Sequence, residues 1–198
     1  MKLHVVSFQV PFPPDYGGLI DVYYKLKALK EAGCSVVLHT YRYEVAEQPD
    51  LLKVVDAVYY YERFTGWCSM FSFRPYIVYS RRSKLLLERL CEDDSPILFE
   101  GLHTCYFLSN PLLRGRQKWV RMHNVEHDYY YFLGKSCVSW YEKCYYYLEA
   151  LKLKHYERVL LYADKILAIT NTDALYFTQK YPSVSNYCLP CFFDNISE

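Results

Sequence analysis

The chain has 198 residues, 52% of them apolar, with 23 basic and 22 acidic side chains and a net charge of +1. That length suits one domain with a sizeable core, and the balanced charge argues against nucleic acid as a partner, which draws a basic surplus. There is no apolar run of about 18 residues and no apolar leader ending in a small-residue cleavage site, so neither a membrane span nor a signal peptide is expected, and the chain reads as cytoplasmic.

Residues 3–8 (LHVVSF) read as a first strand, followed by the loop PFPPDYGG at 11–18. Residues 20–32 then form a helix, with apolar Val22, Leu26 and Leu29 on one side and Gly33 as its stop. Two β-branched-rich or aromatic runs, 35–40 (SVVLHT) and 56–61 (DAVYYY), are the next strands. A long aromatic and basic connection at 63–82 carries Trp67, Phe71, Phe73, Arg74, Arg81 and Arg82. A loop of that length in a compact domain is often functional.

A leucine-rich helix is expected over 83–91, a proline-opened buried strand over 96–100 (PILFE), and a short helix over 104–110. After a loop at 111–117, residues 118–122 (KWVRM) make another strand. Residues 140–163 read as one long helix, with a stripe through Tyr141, Tyr145, Leu148, His155, Val159 and Tyr162. A strand at 165–169, a helix at 172–181 stopped before Pro182, and a short strand at 186–189 complete the pass.

Strands and helices alternate throughout. The expected fold is therefore α/β: a Rossmann-like, doubly wound, mostly parallel sheet of about six or seven strands with helices on both faces. Ligands of such sheets bind at the carboxyl ends of the strands. The chemically unusual residues fall there: Asp15, Tyr16, Gly17 and Gly18 after the first strand, Glu100 and His103 after PILFE, and Arg121, His123, Asn124 and Glu126 at the end of KWVRM. Gly17 and Gly18 let the backbone turn and approach a ligand, and the helix start behind them offers unpaired N–H groups to an anion. Glycine pairs also open helices for steric reasons alone. The three loops are expected to share one rim and one cleft.

HNVEH at 123–127 matches the inverted zinc-protease pattern H-x-x-E-H. Zinc chemistry needs both histidines on one helical face, and His123 ends a strand, so no metal is expected. Asn124 as a helix cap is the structural alternative for the segment. Eight cysteines are too sparse for a disulfide scaffold. The single CxxC of Cys188 and Cys191 lacks the second pair of a zinc ribbon, so the thiols read as reduced. Tyrosine is abundant, 23 residues, with triplets at 59–61, 129–131 and 145–147. Its ring and hydroxyl suit sugar binding, an interface or a wet core edge.

Four segments, in order, resemble GT-B glycosyltransferases of the retaining, family-four kind found in bacterial cell-surface polysaccharide synthesis. They are the first strand with PFPPDYGG and the helix ending LKEAGCSVVLHT, then ILFEGLHT, WVRMHNVEHDYYYFL and ADKILAITNTDALYF. The resemblance implies that residues 1–198 are a single Rossmann-like N-terminal, acceptor-side domain, without the C-terminal donor-binding domain and inactive on its own. It implies transfer of a sugar from a nucleotide-sugar to a glycan or lipid-linked acceptor. Gly17 and Gly18 would lie under the donor diphosphate, and His103 would be the catalytic contact to the transferred sugar. Asp15, Tyr16, Glu100, Arg121, His123, Asn124 and Glu126 would line the acceptor side. No cofactor and no protein nucleophile is implied. The 63–82 connection would meet a lipid-linked acceptor by peripheral contact at the inner face of the membrane. The competing readings are a free-standing Rossmann-like binding or interaction domain without catalysis, and a sugar-nucleotide epimerase. Against the epimerase, G-x-G-x-x-G is absent after the first strand.

Overall fold

A computed structural model describes residues 1–42, 47–66, 69 and 72–193. Seven strands form one all-parallel sheet in the order β3-β2-β1-β4-β5-β6-β7. They are β1 (Lys2–Ser7), β2 (Ser35–Arg42), β3 (Ala57–Glu62), β4 (Ile97–Glu100), β5 (Lys118–Met122), β6 (Lys165–Ala168) and β7 (Ser185–Cys188). The order reverses direction between β1 and β4, which is where doubly wound sheets open a ligand crevice.

Among the described residues six α-helices accompany the sheet: α1 (Gly17–Glu31), α2 (Tyr76–Tyr79), α3 (Lys84–Leu90), α4 (Glu126–Ser136), α5 (Trp140–Tyr156) and α6 (Asn171–Lys180). Two apolar clusters sandwich the sheet. Alternation along each strand sends successive side chains to opposite faces. Leu3, Val5 and Leu98 pack on one side with Val22 and Leu26 of α1. Val6, Phe99 and Val120 pack on the other with Leu86, Leu153 and Phe177. Among the described residues no helix is long and apolar enough to cross a membrane.

Every expected strand is present within about two residues, the margin that boundary assignment itself carries. Several helical expectations change. The short helix expected over 104–110 is a 3₁₀ turn at Leu102–Phe107. The helix expected over 140–163 is α-helical only to Tyr156 and continues as a 3₁₀ turn, Glu157–Tyr162. Its buried side is Glu149, Ala150 and Leu153, then Val159 and Leu160, whereas Tyr141, Leu148 and Tyr162 of the expected stripe are exposed. The expected loops hold α2 and a 3₁₀ turn at Pro111–Leu113. α4 is the helix of the structural alternative for 123–127, but its N-cap is Val125 rather than Asn124, with no side-chain cap. Within the 63–82 connection Trp67 and Phe71 lie outside the described residues. Arg74 stacks on Tyr106 and Arg82 on Tyr79, with 4.6 and 4.0 Å to the ring centroids.

Candidate functional site

The carboxyl edge of the sheet carries an open cleft of about 660 Å³. Tyr16, Gly17 and Gly18 reach it from the loop after β1, His103 from the turn after β4, and His123, Asn124 and Glu126 from the turn after β5. The three loops singled out in the sequence thus converge on one rim. Asp15 is exposed and is not among the cleft-lining residues. Glu100 and Arg121 do not line the cleft: both are fully buried beneath it. The reason is strand alternation. With Phe99, Val120 and Met122 facing one apolar cluster, Glu100 and Arg121, paired in register, point to the opposite face, where α1 lies.

There they meet Asp21 and Lys25, charged residues one turn apart on the buried side of α1. Lys25 Nζ donates to Asp21 Oδ2 at 2.9 Å and to Glu100 Oε2 at 3.0 Å. Arg121 holds Asp21 with a two-pronged contact, Nε to Oδ2 at 3.1 Å and Nη2 to Oδ1 at 2.9 Å. It also donates to the carbonyls of Leu189 and Pro190, and the Phe192 N–H donates to Asp21 Oδ1 at 2.8 Å. The chain after β7 is therefore tied to this cluster. His123 donates through Nε2 to Glu100 Oε2 at 3.2 Å. Burial alone would raise both carboxyls. Lys25 and Arg121 override it at Asp21, which is held far below the carboxylate range. Lys25 and His123 do the same for Glu100, which also stays below it. Ionised carboxylates at these depths persist because each has a cation against it.

Asp21, Glu100 and His123 present three ligand atoms within 4.8 Å of one another. Both carboxylates are already matched by Lys25 and Arg121, so a divalent cation would add charge to a satisfied cluster. The two histidines of H-x-x-E-H are held apart by different partners. His123 faces Glu100, whereas His127 Nδ1 lies 3.1 Å from Glu157 Oε2.

Above this cluster, Phe8 packs against both His103 and His123, with ring centroids 5.5 and 5.6 Å apart. Gly101 has φ +70°, and a Cβ there would sit 2.9 Å from His103 Nδ1, so only glycine permits this turn with His103 in place. Burial, then the charge of Arg81 and of His123, lowers the His103 pKa well below that of free imidazole, so the ring is neutral at pH 7. Burial raises Glu126 to about 8, with Glu157 adding to the rise and Arg81 opposing it, so this carboxyl keeps its proton at pH 7.

Arg81 is 4% exposed and donates to the carbonyls of Phe8, at 2.9 Å, and Ile77. Burial pulls its pKa down to about 9, which leaves it a cation at neutral pH. With Arg63 it lines the cleft wall. α1 begins at Gly17 with Tyr16 as an N-cap that makes no side-chain bond, so first-turn N–H groups stay open to the cleft. Two arginines, a helix N-terminus, a neutral imidazole and a protonated carboxyl make a cleft suited to an anionic group beside hydroxyl groups.

Sequence reasoning missed Asp21, Lys25 and Arg81 as site components. The available signal was two opposite charges at i, i+4 on the sheet-facing side of α1. Solvated i, i+4 pairs look the same in sequence, and only the partner strands distinguish the two.

No protein-family profile matches the chain. A Klebsiella pneumoniae protein described as an uncharacterized 44.6 kDa protein in the cps region is 31% identical over 180 residues, which are 87% of this chain and 46% of that protein. Among solved structures, Phytolacca americana UGT2 complexed with UDP-2-fluoro-glucose and pterostilbene matches at TM-score 0.54 and 12% identity, covering 98% of this chain and 55% of that one. A UGT transferase from Siraitia grosvenorii in complex with UDP matches at TM-score 0.55 and 12% identity, over 100% and 52%. Medicago truncatula UGT71G1 complexed with UDP-glucose matches at TM-score 0.53 and 8% identity, over 98% and 52%. The chain has a glycosyltransferase-like fold and spans about half the length of these relatives.

Proposed function

We propose that the chain is the N-terminal, acceptor-side half of a GT-B glycosyltransferase of the retaining, family-four kind. In this reading it moves a sugar from a nucleotide-sugar to a glycan or lipid-linked acceptor in cell-surface polysaccharide synthesis, and a second domain supplies most of the donor site. The carrying observation is the cleft itself. The open N-terminus of α1, the Arg81 and Arg63 side chains and His103 line one cleft at the topological switch of the sheet. Charge developing on a departing diphosphate would be met by groups already in position. His103 would contact the transferred sugar, and Gly17 and Gly18 would lie under the diphosphate. Tyr16, His123 and Asn124 would border the acceptor, with Asp15 further out. Glu100 and Arg121 would act through His123 and the rim rather than by touching substrate. The cps-region relative supports the polysaccharide setting.

The same reading places the domain at the cytoplasmic membrane face, where a lipid-linked acceptor would be met. α4 and α5 form a close hairpin in which Gly134 abuts Tyr146 and Tyr147. Its tip exposes Phe132, Val138, Trp140 and Tyr141. Interfacial aromatics beside Lys135 and Lys143 are the composition that suits a headgroup layer.

The test is made on the full-length gene product with a panel of nucleotide-sugars and membrane extract as acceptor. Release of nucleoside diphosphate is expected. Gly18→Val and His103→Ala should each lower kcat/KM by about 10- to 100-fold, as expected for loss of about 1–3 kcal/mol of transition-state binding. The 198-residue chain alone should show no turnover. Full activity in both variants, or turnover by the chain alone, would sink the proposal. Tight nucleotide-sugar binding without turnover in the full-length protein would favour the non-catalytic binding domain instead.

A further inference from the structure

Among the described residues, His123 Nδ1, Glu126 Oε1 and His103 Nδ1 are cleft-lining side-chain atoms that are buried with no hydrogen-bond partner. His123 is bound through Nε2 to Glu100, and Arg81 to two carbonyls. Glu126 Oε1 and His103 Nδ1 lie together, 3.8 Å apart on the cleft floor. A buried polar atom left unpaired costs about 1–3 kcal/mol, so proteins keep few of them without a water or a ligand to complete them. Here two face each other in an open site.

Their protonation states make the pair specific. The groups acting on Glu126 come from several elements. Glu157 follows α5 and raises its pKa, Arg81 follows α2 and lowers it, His103 faces it, and Tyr130 is its neighbour on α4. Burial outweighs them, and the carboxyl is protonated at pH 7. It is a hydrogen-bond donor, and His103 beside it is a neutral ring. A neutral donor and a neutral acceptor 3.8 Å apart suit a group that accepts and donates at once. That group is a hydroxyl.

We propose that Glu126 and His103 together form a subsite for one uncharged hydroxyl of a sugar, Glu126 donating to the hydroxyl oxygen and His103 Nδ1 accepting its proton. Assigning the hydroxyl to a sugar rests on the glycosyltransferase reading; the donor–acceptor pair does not. The subsite is distinct in chemistry from the cationic wall of Arg81 and Arg63 and from the α1 N-terminus, and it leaves those to the anionic part of the ligand. Glu126 is a binding and positioning residue in this scheme, and no proton leaves it.

The test uses the 198-residue chain labelled with ¹³C and ¹⁵N. The Glu126 carboxyl and His103 ring resonances are assigned with Glu126→Gln and His103→Ala. Methyl α-glucoside and methyl α-galactoside are titrated as sugar probes, with UDP and inorganic phosphate as separate arms. At least one glycoside should shift both resonances together. Its affinity should fall at least tenfold in Glu126→Leu and less than threefold in Glu126→Gln, whose amide keeps a donor. It should also fall at least fivefold between pH 6.5 and 9.5 in the wild type and stay flat in Glu126→Gln. UDP should shift the Gly17 and Gly18 amides in every variant. If UDP binds there while no glycoside moves Glu126 and His103, a water alone completes the pair and the subsite falls, with the transferase reading intact. If a glycoside binds the pair and millimolar UDP leaves Gly17 and Gly18 unmoved, the subsite stands and the diphosphate role of Gly17 and Gly18 falls. If neither probe touches the cleft, both fall.

Discussion

Replacing Lys25 with methionine tests whether the buried charge cluster is what holds the floor of the cleft. Lys25 is 2% exposed and bridges Asp21 and Glu100, each fully buried. Methionine fills similar volume, so packing loss is small and the change is chiefly the missing cation. Asp21 keeps Arg121, but Glu100 keeps only the His123 hydrogen bond. Removing one partner of a buried pair costs about 3–5 kcal/mol. For a domain of this size that is a fall of about 6–20 °C in Tm, at about 2–4 °C per kcal/mol. The pH dependence follows from the sign of the Glu100 shift. In the wild type burial raises its pKa, but Lys25 and His123 lower it further, so Glu100 stabilises the fold above its unfolded value of 4.5. Without Lys25 burial dominates, the folded pKa rises above 4.5, and Glu100 destabilises the fold above that pH. The gap between wild type and Lys25→Met should be largest near pH 7 and shrink below about pH 4.5. Urea unfolding followed by circular dichroism at both pH values measures it, and adding Glu100→Gln should recover more than half of the loss. A loss under about 1 kcal/mol at pH 7, or one independent of pH, would refute the reasoning.

Other outcomes follow from single features. His39 is fully buried in a chain from His4 to Tyr61, and burial lowers its pKa to about 3. Since the unfolded ring titrates near 6.5, stability is complete above that pH and declines as pH falls from 6.5 toward 3; a ring resonance of His39 titrating above pH 5.5 would contradict this. Gly101→Ala should lower stability by about 1–2 kcal/mol, from its positive φ, and displace His103, so unchanged His103 ring shifts would count against the turn argument. A Cβ on Gly17 meets nothing within 4 Å. Gly17→Ala should therefore leave Tm nearly unchanged yet weaken UDP binding to the chain, and equal binding would show that no phosphate approaches there. Trp140→Ser combined with Tyr141→Ser should abolish sedimentation with vesicles containing anionic lipid; retained binding would remove the hairpin from the membrane face.

Much of the architecture was legible in the amino-acid order because it is set locally. Strands such as LHVVSF and PILFE declare themselves by short apolar runs between turn residues, and their alternation with helices dictates a parallel sheet. The rim followed from that sheet: loops after parallel strands share an edge, so Gly17, His103 and His123 had to meet wherever the strand order placed them. α5 was not legible in the same way. Its tyrosines and leucines run all round the helix, so periodicity could not say that Ala150 and Leu153 face inward while Leu148 and Leu151 face out. That choice belongs to the partner surface. The charge cluster is further still from local information. Asp21 and Arg121 lie 100 positions apart, and each would be an ordinary solvated charge without the other. The same holds for Glu126. Its sequence context is a helix's first turn, where a carboxylate is normally favoured ionised. Burial beside His103 and Glu157, which only the folded chain supplies, is what keeps its proton on.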